Sequence, residues 1–321
     1  MIQVSVYECF VRCLFLTSLI LLVLGAAPDT FCQVAAHKYV PGRIAAIKTD
    51  EQVLELIRPF GWEFEEAVLG DSAAAAYRPY RFTRFAVRGA QTWFKADFDH
   101  NGLPDLLVLA RRKDIPFVFC VLDMGSKFQV ARNFANGVRR RQPVARVVVR
   151  NGQDLLEYAD FARWRGRGGK LTDRRTSLLS FVAGGFVEYN HRPVLCQVRQ
   201  LTYESFYAYH QTVRTRIAVK GDSIQFWEQC TDRLDSTRNS QAQQRKLLMP
   251  AQRQQLVQLL SYINYSALRN NYGSIHVNHT THVELTVENE HGEKKSIDDL
   301  NGYGTMGLGR LYALLRELAS P

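Results

Sequence analysis

From about residue 81 onward, much of the chain is cut into short apolar runs, each closed by Gly, Pro, Asn or basic residues. Runs of this length, rich in β-branched and aromatic residues, are strand length rather than helix length. A succession of them with little helix between folds as mostly antiparallel sheet. Expected strands in the first half cover 81–87, 91–96, 106–110, 117–122, 144–149 and 178–187. A short helix precedes them. Thr49-Asp50-Glu51-Gln52 supplies its start, Val53, Leu54, Leu56 and Ile57 its apolar positions, and Pro59 its stop.

The second half has a different order. Strands are expected over 194–203, 214–219 and 224–228, followed by a polar stretch over 231–246. Pro250 then opens a helix with the stripe Leu256, Leu259, Leu260 and Ile263, the i, i+3, i+4, i+7 spacing of one buried face. Val283, Leu285 and Val287 alternate as a half-buried strand does, a turn at 289–293 leads to a strand over 294–297, and Leu308, Leu311, Tyr312, Leu315 and Leu318 stripe a last helix. The fold class is therefore α+β. A β-rich domain over 37–190 is followed by a smaller α+β domain over 191–321, with the boundary at Tyr189-Asn190-His191-Arg192-Pro193.

One stretch carries specific chemistry. Asp97-Phe98-Asp99-His100-Asn101-Gly102-Leu103-Pro104-Asp105 spaces oxygen donors as a calcium loop does. Side chains at positions 1, 3, 5 and 9 converge, glycine at 6 permits the sharp turn, and residue 7 offers its carbonyl. The candidate metal ligands are thus Asp97, Asp99, Asn101, Leu103 and Asp105, with calcium as a structural cofactor. Position 12 is Val108 where an EF-hand has glutamate, and both flanks are strand-like. The stretch resembles the strand-loop-strand calcium loop of integrin-type FG-GAP repeats. It occurs once, and a propeller needs several blades at a regular period, so no propeller is expected. The alternative is a polar Asn-Gly turn that binds nothing.

The amino terminus carries Arg12 and then the apolar run 13–27, 15 residues long. That falls short of the ~20 residues of a spanning helix, and a secretory signal peptide fits it better than an uncleaved anchor. Val34-Ala35-Ala36 and Gly25-Ala26-Ala27 are both cleavage contexts, Pro28 weighing against the second. The chain is read as exported, periplasmic or extracellular, with residues 1–36 removed. Asp29-Thr30-Phe31 before Cys32 lacks the small residues of a lipid-attachment site, so no anchor is expected there.

Removing residues 1–36 takes away one arginine and two acids, raising the formal charge from +10 to +11. Its basic runs, Arg139-Arg140-Arg141 and Arg163 to Lys170, fall between strand-like segments and read as loops. Export argues against nucleic acid as a partner; an unknown envelope or extracellular partner is expected, an anionic surface being one kind. Three cysteines then remain, Cys120, Cys196 and Cys230, too few for a disulfide scaffold. Cys120 reads as core, and a bond between Cys196 and Cys230 is left open.

Residues from about 194 onward resemble a domain of unknown function found in exported bacterial proteins. The matching pieces are Lys220-Gly221-Asp222-Ser223, the helix over 256–263, the Thr-rich strand from Thr280, and Asp298-Asp299-Leu300-Asn301-Gly302-Tyr303-Gly304. Tyr203-Glu204-Ser205-Phe206-Tyr207 stands where many members carry a Cys-Pro motif, and 178–190 resembles a segment found ahead of that domain. The resemblance implies no activity.

Other patterns are weaker. Gly302-Tyr303-Gly304-Thr305-Met306-Gly307 spells a dinucleotide fingerprint but lacks the βαβ context. Gly221-Asp222-Ser223 spells an esterase block without the downstream Asp-x-x-His, and reads as a hairpin turn. His276, His279 and His282, with Glu284, alternate faces on a strand. Glu65-Glu66 and Asp298-Asp299 diverge as neighbours do. Trp62, Trp93, Trp164 and Trp227 show no platform spacing for carbohydrate and read as packing residues. The functional expectation is an exported, non-catalytic binding protein of the bacterial envelope with one structural calcium site. The rival is an envelope hydrolase with a dispersed active site.

Overall fold

The computed structural model describes residues 39–70, 73, 91–113, 115–131, 141–163, 171–208, 211–232, 234–273, 281–300, 302 and 304–320. The signal region, Cys32, the expected strand at 81–87, Trp164, His276 and His279 lie outside them. The described residues belong to one compact unit, mostly β, with antiparallel sheets and a carboxy-terminal helix. Among them no helix is long and apolar enough to cross a membrane.

The chain opens with α1 (Arg43–Ala46), α2 (Asp50–Ile57), a 3-10 turn (Arg58–Phe60) and α3 (Trp62–Glu65). Thr49 and Gln52 form a reciprocal capping box at the start of α2, each side chain accepting the other's backbone N–H. β1 (Trp93–Ala96), β2 (Asp105–Arg112), β3 (Ile115–Asp123) and β4 (Phe128–Ala131) form a four-stranded meander. A second meander contains β5 (Arg141–Arg150), β6 (Gln153–Arg163), β7 (Leu171–Val182) and β8 (Gly185–Glu188). The third sheet holds β9 (Val198–Ala208), β10 (Gln211–Lys220), β11 (Ser223–Asp232), β12 (Ser240–Leu247), β13 (Asn271–Tyr272), β14 (Thr281–Asn289) and β15 (Lys294–Leu300). Helix α4 (Pro250–Tyr262) follows β12 and α5 (Met306–Ala319) follows β15. The third sheet runs β12-β11-β10-β9-β14-β15-β13, antiparallel except for the short β13–β15 pair.

Strand alternation assigns the cores. In β2, Leu107 and Leu109 face the second sheet and share a core with Leu156, Leu179 and Phe186. Leu106, Val108 and Ala110 face the other way, against Ile44, Val53 and Phe64 of the amino-terminal helices. The first sheet is therefore buried on both faces, which explains why β2 reads as a continuous apolar run. The third core packs Tyr203, Ile217 and Leu285 of the seven-stranded sheet under Leu259 of α4 and Leu311 and Leu315 of α5.

The expected stripes of α4 and α5 are buried, with Ile263 half-buried as the cap residue of α4. Four expectations need correction. The run 178–187 is two strands, turned at Ala183 and Gly184, both at positive φ. Residues 194–197 carry no strand, and β9 instead runs on to Ala208. The polar stretch 231–246 contains β12, whose polarity suits an edge strand exposed along most of its length. Trp62, read as a packing residue, is 68% exposed, with the Arg112 guanidinium 4.5 Å from its ring centroid. Cys120 is buried, and Cys196 and Cys230 are unpaired thiols. Gly221-Asp222 is a hairpin turn as expected.

The β7–β8 hairpin locks onto α5. Both Glu188 carboxylate oxygens accept amides at the start of the helix, from Met306 (2.7 Å) and Gly307 (2.9 Å). Arg310, only 3% exposed, donates to Ala183 O (2.8 Å) and bidentately to Glu317 (2.7 and 2.9 Å). Carboxylate caps at a helix start are worth about 0.5–2 kcal/mol. Glu188→Ala is expected to lower stability by about that amount in urea unfolding, and Glu188→Gln by less, because the amide keeps one acceptor. Equal stability of Glu188→Ala and wild type would show that the clamp contributes nothing.

Candidate metal centre

The hairpin of β1 and β2 pairs Ala96 with Asp105, leaving residues 97–104 as its loop. Two residues inside it take left-handed backbone, His100 (φ +59°) and Gly102 (φ +84°), and the chain folds back on itself there. The anticipated glycine therefore sits where a side chain would be strained. Phe98, the apolar residue of the loop, is 1% exposed; its ring stands edge-on to Phe186 at 5.4 Å, which plugs the loop into the sandwich core.

Three of the sequence-derived ligands converge. Asp97, Asp99 and Asp105 each bring a carboxylate oxygen to within 4.8 Å of the other two. Asp97 accepts from the amides of Asn101 (3.1 Å) and Gly102 (3.0 Å), and Asp99 from Asn101 N (3.2 Å). Asp105, fully buried, accepts Phe98 N and Asp123 N, both at 2.8 Å. Asn101 acts as a brace: its amide nitrogen donates to Asp99 Oδ2 (3.0 Å) and to Asp123 O (2.6 Å), while its oxygen accepts Leu103 N (2.8 Å). Leu103 thus enters the network through its amide. His100 is exposed and at a non-ligand position.

Two aspartates that sequence reasoning missed support the loop from neighbouring strands, Asp154 through its carboxylate and Asp123 through its backbone N–H and carbonyl. Asp154, at the start of β6, accepts Asp97 N (2.8 Å). Asp123, at the end of β3, is fully buried; its Oδ1 accepts Tyr39 OH (2.7 Å) and Gly125 N (3.1 Å), and its Oδ2 has no hydrogen-bond partner. Each sits beside a turn glycine, Gly125 or Gly152, so each reads in sequence as an ordinary turn aspartate.

The electrostatics of the loop are unbalanced. Burial pushes the Asp105 carboxyl up to about 7, against the opposing pull of its two backbone amides. Asp99 is raised as well, first by burial and then by the Asp97 charge. Among the described residues no lysine or arginine pairs with any of the three aspartates. An all-oxygen donor set of this kind fits a hard divalent cation, calcium or magnesium, rather than zinc or copper.

Among the described residues the remaining sequence candidates do not assemble. His282 bonds Asp298 across the β14–β15 pair, while Asp299 points inward to Tyr312 OH (3.2 Å) and Gly304 N (3.0 Å), so the adjacent aspartates do diverge. Ser223 accepts from Arg245 Nε (3.0 Å) and has no histidine beside it. Gly302 to Gly307 follows β15, which is antiparallel to β14, so the βαβ context of a dinucleotide site is absent there. Comparison of the chain with family models, curated proteins and solved structures returns no match.

The sign of the pH dependence follows from Asp105. The unfolded chain releases this proton near the ordinary carboxylate pKa of about 3.9, whereas the folded, ion-free protein holds it to about 7. Stability from this group is full below pH 4 and is lost as pH rises toward 7, by at most about 1.4 kcal/mol per pH unit. Urea unfolding in chelator between pH 4.5 and 7.5 is expected to show this decline, and Asp105→Asn to flatten it. A slope unchanged in Asp105→Asn would assign the dependence to other groups.

Proposed function

We propose that this chain is an exported, non-catalytic binding protein of the bacterial envelope, with one structural calcium ion held by the 97–105 loop. In this reading a β-rich domain over 37–190 carries the ion. The part over 191–321 is an α+β domain akin to the domain of unknown function in exported bacterial proteins. The absence of strand or helix from Tyr189 to Gln197 supports a boundary there.

The observation that carries the calcium reading is the meeting of three carboxylate oxygens within 4.8 Å around a fully buried Asp105, with no side-chain cation among the described residues to balance them. An ion there would remove the penalty on Asp105 and draw the loop onto the ends of β1, β2 and β3. Asp97, Asp99 and Asp105 would hold it, and its role would be to fix backbone rather than to activate a substrate.

Thermal unfolding with calcium against chelator tests this. Calcium at a hundred times its Kd is expected to add about 2.7 kcal/mol. Asp97→Ala/Asp99→Ala should lose that increment and match the wild type in chelator. Calorimetric titration should give one calcium per chain. Identical melting curves in millimolar calcium and in chelator would remove the calcium reading.

A further inference from the structure

The outward face of the seven-stranded sheet is open to solvent at Glu204, Arg214, Arg216, Gln225 and Glu284. Its inward positions, such as Leu201, Tyr203, Ile217 and Leu285, are spent on the core under α4 and α5. The outward positions form registered rows. One row reads Gln243, Trp227, Arg216, Glu204, Glu284 and Asp298 across six strands. The next row has Ala218 at its middle, between Gln225 and Thr202. On the far side of that row stand Ser223, Lys220 and Gln200. A small residue between two rows of long ones leaves a trough. It measures about 920 Å³ and includes Ala218, Gln225 and Arg245 in its lining. From β12 to β14 it spans four strand spacings, about 19 Å.

The side chains along it are of three kinds. Aromatic surface comes from Trp227, half-buried, and Phe206, 37% exposed, with Arg214 stacked 5.3 Å from the Phe206 ring. Planar amides come from Gln200, Gln225 and Gln243. Cations cluster on β10 and β12. Arg216 is neutralised by Glu204 at 3.2 Å, but Arg214, Lys220 and Arg245 have no carboxylate partner among the described residues. Acids occupy the other half, with Glu204 on β9 and Glu284 on β14.

This pattern selects among ligands. A nucleic-acid strand, charged at every nucleotide, would meet Glu204 and Glu284 once past β10. A peptide that adds as a strand recognises a sheet through unpaired backbone groups at its edge. Of the trough's strands only β12 is an edge; β11, β10, β9 and β14 are already paired on both sides, so a strand added at β12 would lie beside the trough and not in it. A second copy that presents this same face cannot fill the trough. An oligosaccharide meets each requirement. Its rings stack on aromatic faces, its hydroxyls donate to amide and carboxylate oxygens and accept from amide N–H groups, and an acid group it carries finds the cations that have no carboxylate partner among the described residues.

We infer that the trough on the outward face of β12, β11, β10, β9 and β14 is a binding site for an oligosaccharide that carries a single carboxylate at one end. Trp227 serves as the stacking surface and Lys220 and Arg245 receive the acid group. This specifies the binding proposed above, but it uses no residue of the calcium loop, so failure of either reading leaves the other standing.

The test is calorimetric titration of the full chain with a glucose hexamer that ends in one glucuronic acid, a neutral glucose hexamer, a single-stranded oligonucleotide and polyglutamate. The acidic hexamer is expected to bind most tightly. Lys220→Ala/Arg245→Ala should weaken it about tenfold or more while sparing any binding of the neutral hexamer. Trp227→Ala should weaken both sugars, and Ala218→Gln, which fills the trough without touching a charge, should do the same. Melting temperatures close to that of the wild type would certify the folds of the variants. No binding of the acidic hexamer at millimolar concentration would overturn the assignment. So would binding unchanged in every variant, or tighter binding of the oligonucleotide or polyglutamate.

Discussion

The short strand β8 holds the molecule together, because its two faces belong to different cores. Phe186 packs into the sandwich between the two meanders, while Val187 packs with the seven-stranded sheet and its helices. The next residue, Glu188, closes the start of α5 with two charge-assisted bonds, and the turn before β8 receives buried Arg310 from the same helix. A buried arginine is tolerable only when its donors are used. Here the Ala183 carbonyl and both Glu317 oxygens use them. The left-handed turn at Gly184 brings the backbone close enough for this, since a Cβ there would stand 3.0 Å from Arg310 Nη2.

The acidic loop belongs to the same chain of contacts. Phe98 is at once a loop residue, a donor to the buried Asp105 carboxylate through its amide, and the edge-on neighbour of Phe186. Movement of the loop would therefore have to withdraw an aromatic ring from the sandwich core. An ion bound by Asp97, Asp99 and Asp105 would act on the fold through Phe98 and through Asp123 N at the end of β3. Hydrogen bonds to a charged carboxylate strengthen as it becomes fully ionised, and an adjacent divalent cation favours that ionised state.

What could be read from the sequence depended on whether the signal was local. The stripes of α4 and α5, the alternation of Val283, Leu285 and Val287, the capping box at Thr49 and the spacing of Asp97, Asp99 and Asp105 are all short-range patterns, and the structure places these residues accordingly. Strand β12 was invisible because Ser240 to Lys246 is polar apart from Ala242; it is a strand only through its pairing with β11. The turn at Ala183 was hidden inside an apolar run because both strands of that hairpin are buried. Asp123 and Asp154 were missed for a related reason. Their contacts with the loop join residues far apart in sequence, and a lone aspartate beside a turn glycine gives no hint of them.

The trough shows the same limit from the other side. Alternation in β9, β10 and β14 separates inward from outward positions, but it does not say which outward residues share a row. Trp227 reads as a packing residue until the register sets Arg216 beside it on one strand and Gln243 on the other. Ala218 carries no signal of its own in sequence, and only the register shows the long side chains of Arg216 and Lys220 on the flanking rows. Charge separates by strand, with unpaired cations on β10 and β12 and acids on β9 and β14. In sequence these strands are interleaved with a helix and other strands, so only the sheet order reveals the division. Arg214 and Lys220 on β10 have no carboxylate partner among the described residues although Glu204 lies on the adjacent strand β9, and Arg245 on β12 is three strands from it. Here the cations stay unpaired, the trough floor stays small, and the aromatic surface stays open between them.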